Sequence, residues 1–142
     1  MFGSTQSPSH SIQPGLHTQV PPLQISSKNP QSSPQLGSLF EAYVLQHLAA
    51  FAALLPVRAE LLYWRTTRGE EVDFVVETPT RLLPIEVKTS RSIGKRDLRG
   101  LRAFLEEYPD GAPFGVVLYA GREWLRPARN VVAIPWPALL GR

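Results

Sequence analysis

A small mixed α/β domain, two helices packed on a sheet, is what this 142-residue sequence predicts. Three observations carry that prediction. The stretch LFEAYVLQHLAAFAALL spaces apolar residues as a helix does. Strand-like segments rich in Val, Ile, Leu and aromatics follow it, joined by turns short enough for hairpins. A second amphipathic segment then separates these from another apolar strand, as in a crossover to a parallel neighbour.

The elements follow in chain order. Residues 1–35 hold eight Ser, six Gln and six Pro, with one charged residue, Lys28. Such a segment buries too little apolar surface to offset the entropy of ordering it, so a disordered tail is expected. His10 and His17 fall within it and are expected to be solvated. The domain is expected over 36–142. Ser38 reads as the N-cap of a first helix whose stripe is Leu39, Phe40, Val44, Leu48, Phe51 and Leu55, and Pro56 ends it. Three strands at 61–67, 70–77 and 82–89 form a meander, turning at Arg68-Gly69 and at Thr78-Pro79-Thr80-Arg81. A helix over about 95–108 turns Leu98, Leu101, Phe104 and Leu105 inward, and Pro109-Asp110-Gly111 closes it. A strand at 114–120 follows, and a short edge strand at 131–136 finishes the sheet. Tyr63, Trp64 and Trp124 are expected to fill or edge the core. About 105 ordered residues suffice for one modest core.

The bulk numbers narrow the chemistry. Cysteine is absent, which excludes disulfides and thiolate–zinc sites. A formal net charge of +3 is compatible with nucleic acid without arguing for it. The apolar run LAAFAALLP is about half of what a bilayer crossing needs, and no basic segment leads into an apolar run at the N-terminus. A cytoplasmic protein without membrane association is the expectation.

The stretch EVDFVVETPTRLLPIEVKTS carries the candidate site. Asp73 and Glu86 stand thirteen residues apart on neighbouring strands of the meander, and Glu86 and Lys88 share a strand face. Two carboxylates and a backbone carbonyl, supplied by Val87, are enough hard oxygen ligands for Mg²⁺ or Mn²⁺. Lys88 could orient an attacking water or offset charge on a transferring phosphoryl group. The competing reading is the wet face of an antiparallel sheet. The nearly continuous apolar run around Glu86 weighs against full exposure. Glu41 has two readings as well: a capping-box partner of Ser38, or a third acid approaching the sheet from the helix.

Arg91, Lys95, Arg96, Arg99 and Arg102 form a basic run just after Lys88, and Arg65 and Arg68 flank the first hairpin. In one reading they meet backbone phosphates. In the other they are a solvated helix face answered by Asp97, Glu106 and Glu107. His47 has no partner histidine at metal spacing.

The series LGSLFEAYV, YWRTTRGEEVDFVVE, LLPIEVKTS and DLRGLRAFLEEYPDGAPFGVVLYAG resembles the C-terminal domain of a large family of bacterial and archaeal AAA-type ATPases. That domain has no assigned function and is similar to the PD-(D/E)XK nuclease-like superfamily. The resemblance covers about residues 36–136. It implies a restriction-endonuclease-like core of helix, three-strand meander, helix and strand in a mixed sheet. It also implies catalytic and metal roles for Glu41 (the first-helix acid), Asp73 (the PD aspartate), and Glu86 with Lys88 (the (D/E)XK pair). Val72 stands where the superfamily has proline. No GxxxxGK(S/T) loop occurs, so the ATPase half is missing, and the resemblance implies a fragment, a truncated gene product, or a domain working with an AAA-type ATPase in trans. The expected function is a Mg-dependent nuclease-like domain hydrolysing or binding nucleic acid phosphodiesters. The alternative is a non-catalytic DNA- or protein-interaction module coupled to that ATPase.

Overall fold

Alternation along the strands divides the buried side chains between two faces of one sheet. The computed structural model describes residues 11–12 and 34–140, with side chains from residue 37 to 138. The elements are β1 (Ser11–Ile12), α1 (Pro34–Leu54), β2 (Glu60–Arg65), β3 (Glu71–Glu77), β4 (Leu82–Lys88), α2 (Arg99–Glu107), β5 (Gly115–Tyr119), β6 (Leu125–Ala128) and β7 (Val131–Pro135). Short 3₁₀ turns at Lys95–Leu98 and Trp136–Leu140 precede α2 and follow β7. The strand order is β1-β2-β3-β4-β5-β7-β6. The first four strands pair antiparallel, β4–β5 and β5–β7 pair parallel, and β6 closes the edge antiparallel to β7. The α2 crossover thus delivers β5 parallel to β4, as expected.

All five residues of β5 are buried, because the strand is covered on both faces. Val117 and Tyr119 pack on one side with Leu98, Leu101, Phe104 and Leu105. Val116 and Leu118 pack on the other with Val44, Leu45 and Leu48 of α1. The interior is therefore two clusters, one per face, and not the single core expected. Trp64 is fully buried beneath α2, edge-on to Phe104 with ring centroids 5.3 Å apart.

Several expectations are corrected. Helix α1 begins at Pro34, so Ser38 lies inside it and is not its N-cap. Proline suits a first helical turn, where its missing N–H has no intrahelical partner to lose. The α1 stripe is also different: Val44, Leu45 and Leu48 are buried, while Leu39 and Phe51 are exposed. Apolar residues surround this helix, so spacing alone does not single out one face. Strand β7 lies inside the sheet, and β6, which contains Pro127 and does not alternate, forms the edge. Trp124 is 65% exposed and belongs to neither core. The tail expected over residues 1–35, with His10 and His17, falls almost wholly outside the described residues; Ser11 and Ile12 pair with Arg65 and Trp64. No helix among the described residues is long and apolar enough to cross a membrane.

Two glycines position the hairpin that leads into the site. Gly69 closes the β2–β3 turn at φ 86°, in the left-handed region. The Thr66 N–H donates to the Glu70 carbonyl at 2.8 Å, and the Gly69 N–H donates to the Thr66 carbonyl at 3.1 Å. Gly100, in the first turn of α2, lies against β3, where a methyl group would overlap the Glu71 carbonyl oxygen. In an unencumbered helix Gly→Ala stabilises by about 1 kcal/mol. Here the overlap reverses the sign. Gly100→Ala is expected to destabilise by roughly 1–3 kcal/mol in chemical denaturation, the usual cost of overpacking.

Candidate metal centre

The site begins with an irregularity in β3. Leu62 pairs with Val75 and Trp64 with Val72, so Tyr63 alone faces both Asp73 and Phe74. This is a β-bulge, and it explains why Val72 and Val75, three apart, both join the α2-side core. The bulge also ends the β3–β4 ladder. In the register that pairs Phe74 with Ile85, the Val87 N–H would next meet the Val72 carbonyl. Instead it donates to Asp73 Oδ2 at 2.7 Å. Continued by one step, the same register sets Asp73 opposite Glu86.

Glu86 and Lys88 follow on β4, whose alternate residues Ile85 and Val87 turn into the α1-side core. Lys88 Nζ donates to Glu86 Oε1 at 2.6 Å. Glu86 is only 6% exposed, and its Oε2 is buried with no hydrogen-bond partner. An unmatched buried carboxylate oxygen is costly unless something satisfies it. Burial pushes the Glu86 carboxyl up, and the Asp73 carboxylate pushes it further; together they outweigh Lys88. Burial alone would lower the Lys88 ammonium, but Glu86, Asp73 and Asp97 more than reverse this and hold it charged.

Glu41 approaches from α1. Because Ser38 is inside the helix, no capping box competes for this side chain. It is half-buried and its carboxyl is pushed up to about 7, first by burial and then by Asp73, with Lys88 acting in the opposite sense. Three carboxylates and one ammonium therefore interact; with all four ionised, two negative charges remain uncompensated. Glu71 adds to the repulsion.

Among the described residues, no three His, Asp or Glu side chains are gathered tightly enough to enclose a metal ion. Mg²⁺ does not need such a cage. It is commonly held by one or two carboxylates with waters and substrate phosphates completing the shell. The donor set of hard oxygens and the unmatched Glu86 Oε2 fit that cation.

The family described as "Domain of unknown function (DUF4143)" matches residues 36–139. The chain belongs to this family. Two mycobacterial proteins are similar to it: the uncharacterized proteins Mb2031c of Mycobacterium bovis and Rv2008c of Mycobacterium tuberculosis. Each is 33% identical over 111 residues, which is 78% of this chain and 23% of the relative. The chain thus corresponds to about a quarter of the length of the curated relatives it matches.

In this DUF4143 domain the basic residues divide. Arg99 Nη2 donates to Glu70 Oε1 at 3.0 Å, and Thr66 Oγ1 donates to Glu70 Oε2 at 2.6 Å. Arg99 therefore ties α2 to the hairpin tip. Arg65 approaches Glu71 at 4.0 Å. Arg91, Lys95, Arg96 and Arg102 are exposed. Asp97 accepts from the Gly94 N–H at 2.7 Å, capping the turn into α2. Sequence reading did not find the bulge or the roles of Glu70 and Gly100. Gly69 was expected at the turn, whereas Thr66 stood out only within the stretch YWRTTRGEEVDFVVE.

The pH dependence follows from the acids. Glu41 titrates at about 7 in the fold against 4.5 as a free side chain, so the folded state favours its proton. Its contribution to stability is present below the unfolded value and is lost as pH rises through the folded one. The metal-free DUF4143 domain should therefore melt at lower temperature as pH rises from about 5 to about 8. Glu41→Gln should flatten that slope in thermal melts. An unchanged slope would show that Glu41 is not responsible for it.

Proposed function

We propose that this domain holds one Mg²⁺ or Mn²⁺ ion with Asp73 and Glu86, and that it hydrolyses nucleic acid phosphodiesters. The buried, unmatched Oε2 of Glu86 carries this reading. Glu41 is a further acid on the α1 side, and the Val87 carbonyl is a further oxygen next to Glu86. The bound cation would supply Lewis acidity toward a phosphoryl oxygen and make water a better nucleophile at neutral pH. The protein's own groups do the rest. Lys88, kept charged by the acids around it, offsets negative charge gathering on the phosphoryl group. Asp73 is fixed by the Val87 N–H, so its carboxylate needs little reorganisation when the cation arrives. Arg91, Lys95, Arg96 and Arg102 contact backbone phosphates without reading sequence; Arg65 and Arg99 add charge while bound to Glu71 and Glu70.

The element order supports a restriction-endonuclease-like core: a helix carrying Glu41, a meander carrying Asp73, Glu86 and Lys88, then a crossover helix and a parallel strand. Working with an AAA-type ATPase, such a domain would act in the cytoplasm on nucleic acid presented to it.

One observation favours the alternative, a non-catalytic DNA- or protein-interaction module coupled to that ATPase. Glu86 Oε1 is already engaged by Lys88 at 2.6 Å, and a domain without a cation could keep that contact permanently. Calorimetric titration separates the two readings. The nuclease-like reading expects saturable Mg²⁺ or Mn²⁺ binding at millimolar concentration or below, abolished by Asp73→Ala and by Glu86→Ala. The alternative expects no cation uptake and nucleic acid or protein binding indifferent to both substitutions.

A further inference from the structure

A concavity lies away from the candidate site, toward the β7–β6 edge of the sheet. Helix α1 packs on β2 and β4, leaving the start of β5 and its neighbours β7 and β6 less covered on that face. There a groove of about 420 Å³ is lined by Pro113, Phe114, Arg126, Arg129, Asn130 and Val132. Phe114 is 45% exposed, although it immediately precedes the fully buried β5. Its neighbours Val132 and Pro113 complete an apolar floor.

The two arginines share this groove because of a second irregularity. Leu125 pairs with Ala133 and Ala128 with Val131, so β6 carries one residue more than β7 between the two pairs. In a regular strand, residues three apart point to opposite faces. The extra residue brings Arg126, on β6, and Arg129, in the turn to β7, to one groove. Neither forms an ion pair among the described residues. Arginine in such a position favours planar oxyanions, which its fork can bind through two parallel hydrogen bonds.

From this we infer that the groove docks an acidic polypeptide segment, with a carboxylate on Arg126 and Arg129 and a neighbouring apolar side chain against Phe114 and Val132. A nucleic acid is less suited, since the floor is apolar and the two guanidiniums form a spot and not a track along several phosphates. The matched region is 23% of each mycobacterial relative, so those two proteins carry further polypeptide beyond it. The inference is independent of the cation site.

The test uses the full 142-residue chain and fluorescence anisotropy. One probe is a labelled peptide alternating Glu and Leu; the other is a labelled single-stranded oligonucleotide of equal net charge. The peptide should bind saturably. The double substitution Arg126→Glu, Arg129→Glu should weaken it by roughly tenfold or more, the value of one charge-assisted contact. Phe114→Ser should weaken it too, while Arg68→Glu should change it less than about twofold. Circular dichroism melts confirm that each variant is folded. Absence of saturable peptide binding, or equal binding by the double variant, would overturn the inference. Tighter oligonucleotide binding lost on the same charge reversal would overturn it in favour of a nucleic acid surface.

Discussion

A carboxylate replaces a backbone carbonyl where β3 and β4 part, and the candidate site depends on that exchange. Ladder hydrogen bonds hold the two strands together from Glu77 opposite Leu82 to Phe74 opposite Ile85. Beyond that point the bulge gives β3 one residue too many, and Asp73 captures the Val87 N–H directly. Without such a partner the Val87 N–H would be a buried, unsatisfied donor, a state proteins rarely tolerate. The bond satisfies the backbone and fixes the carboxylate in one step. Opposite it, Glu86 is drawn into the interior by Ile85 and Val87, which anchor β4 in the α1-side core.

The surroundings keep this arrangement rigid without using the acids themselves. Gly69 lets the hairpin close, Thr66 and Glu70 bind each other across it, and Arg99 joins Glu70 to α2. The absence of a side chain at Gly100 lets α2 approach Glu71, two residues before Asp73. Packing of Trp64 on Phe104 beneath them sets the distance between helix and sheet. The electrostatic strain is then local. Burial and mutual repulsion raise Glu41 and Glu86, and one ammonium cannot neutralise three acids. Structures that serve only stability seldom gather like charges in a half-dry place, whereas sites built to receive a cation commonly do.

Much of this was legible in the sequence, for physical reasons that differ by element. The meander and α2 announce themselves because β-branched runs bounded by turn residues, and a one-sided helix, have few alternative conformations. Lys88 beside Glu86 follows from strand alternation alone. The bulge at Asp73 does not, since nothing in EEVDFVVE marks an extra residue; it exists because β2 pairs at two registers on either side of Tyr63. Helix α1 was legible as a helix but not in its orientation, since apolar residues surround it and only the sheet selects Val44, Leu45 and Leu48. The Ser38 cap failed because a helix can start wherever its first turn is tolerated, and Pro34 tolerates it. Strand β6 escaped notice because an edge strand bearing Pro127 needs no hydrophobic pattern, only a neighbour to pair with.

The most direct test of the proposed cation site is a crystal of the protein equilibrated with Mn²⁺, with data collected to locate manganese by its anomalous scattering. The account predicts one peak beside the carboxylates of Asp73 and Glu86. A map without a peak at that position, in crystals where no lattice contact covers the site, would contradict the account.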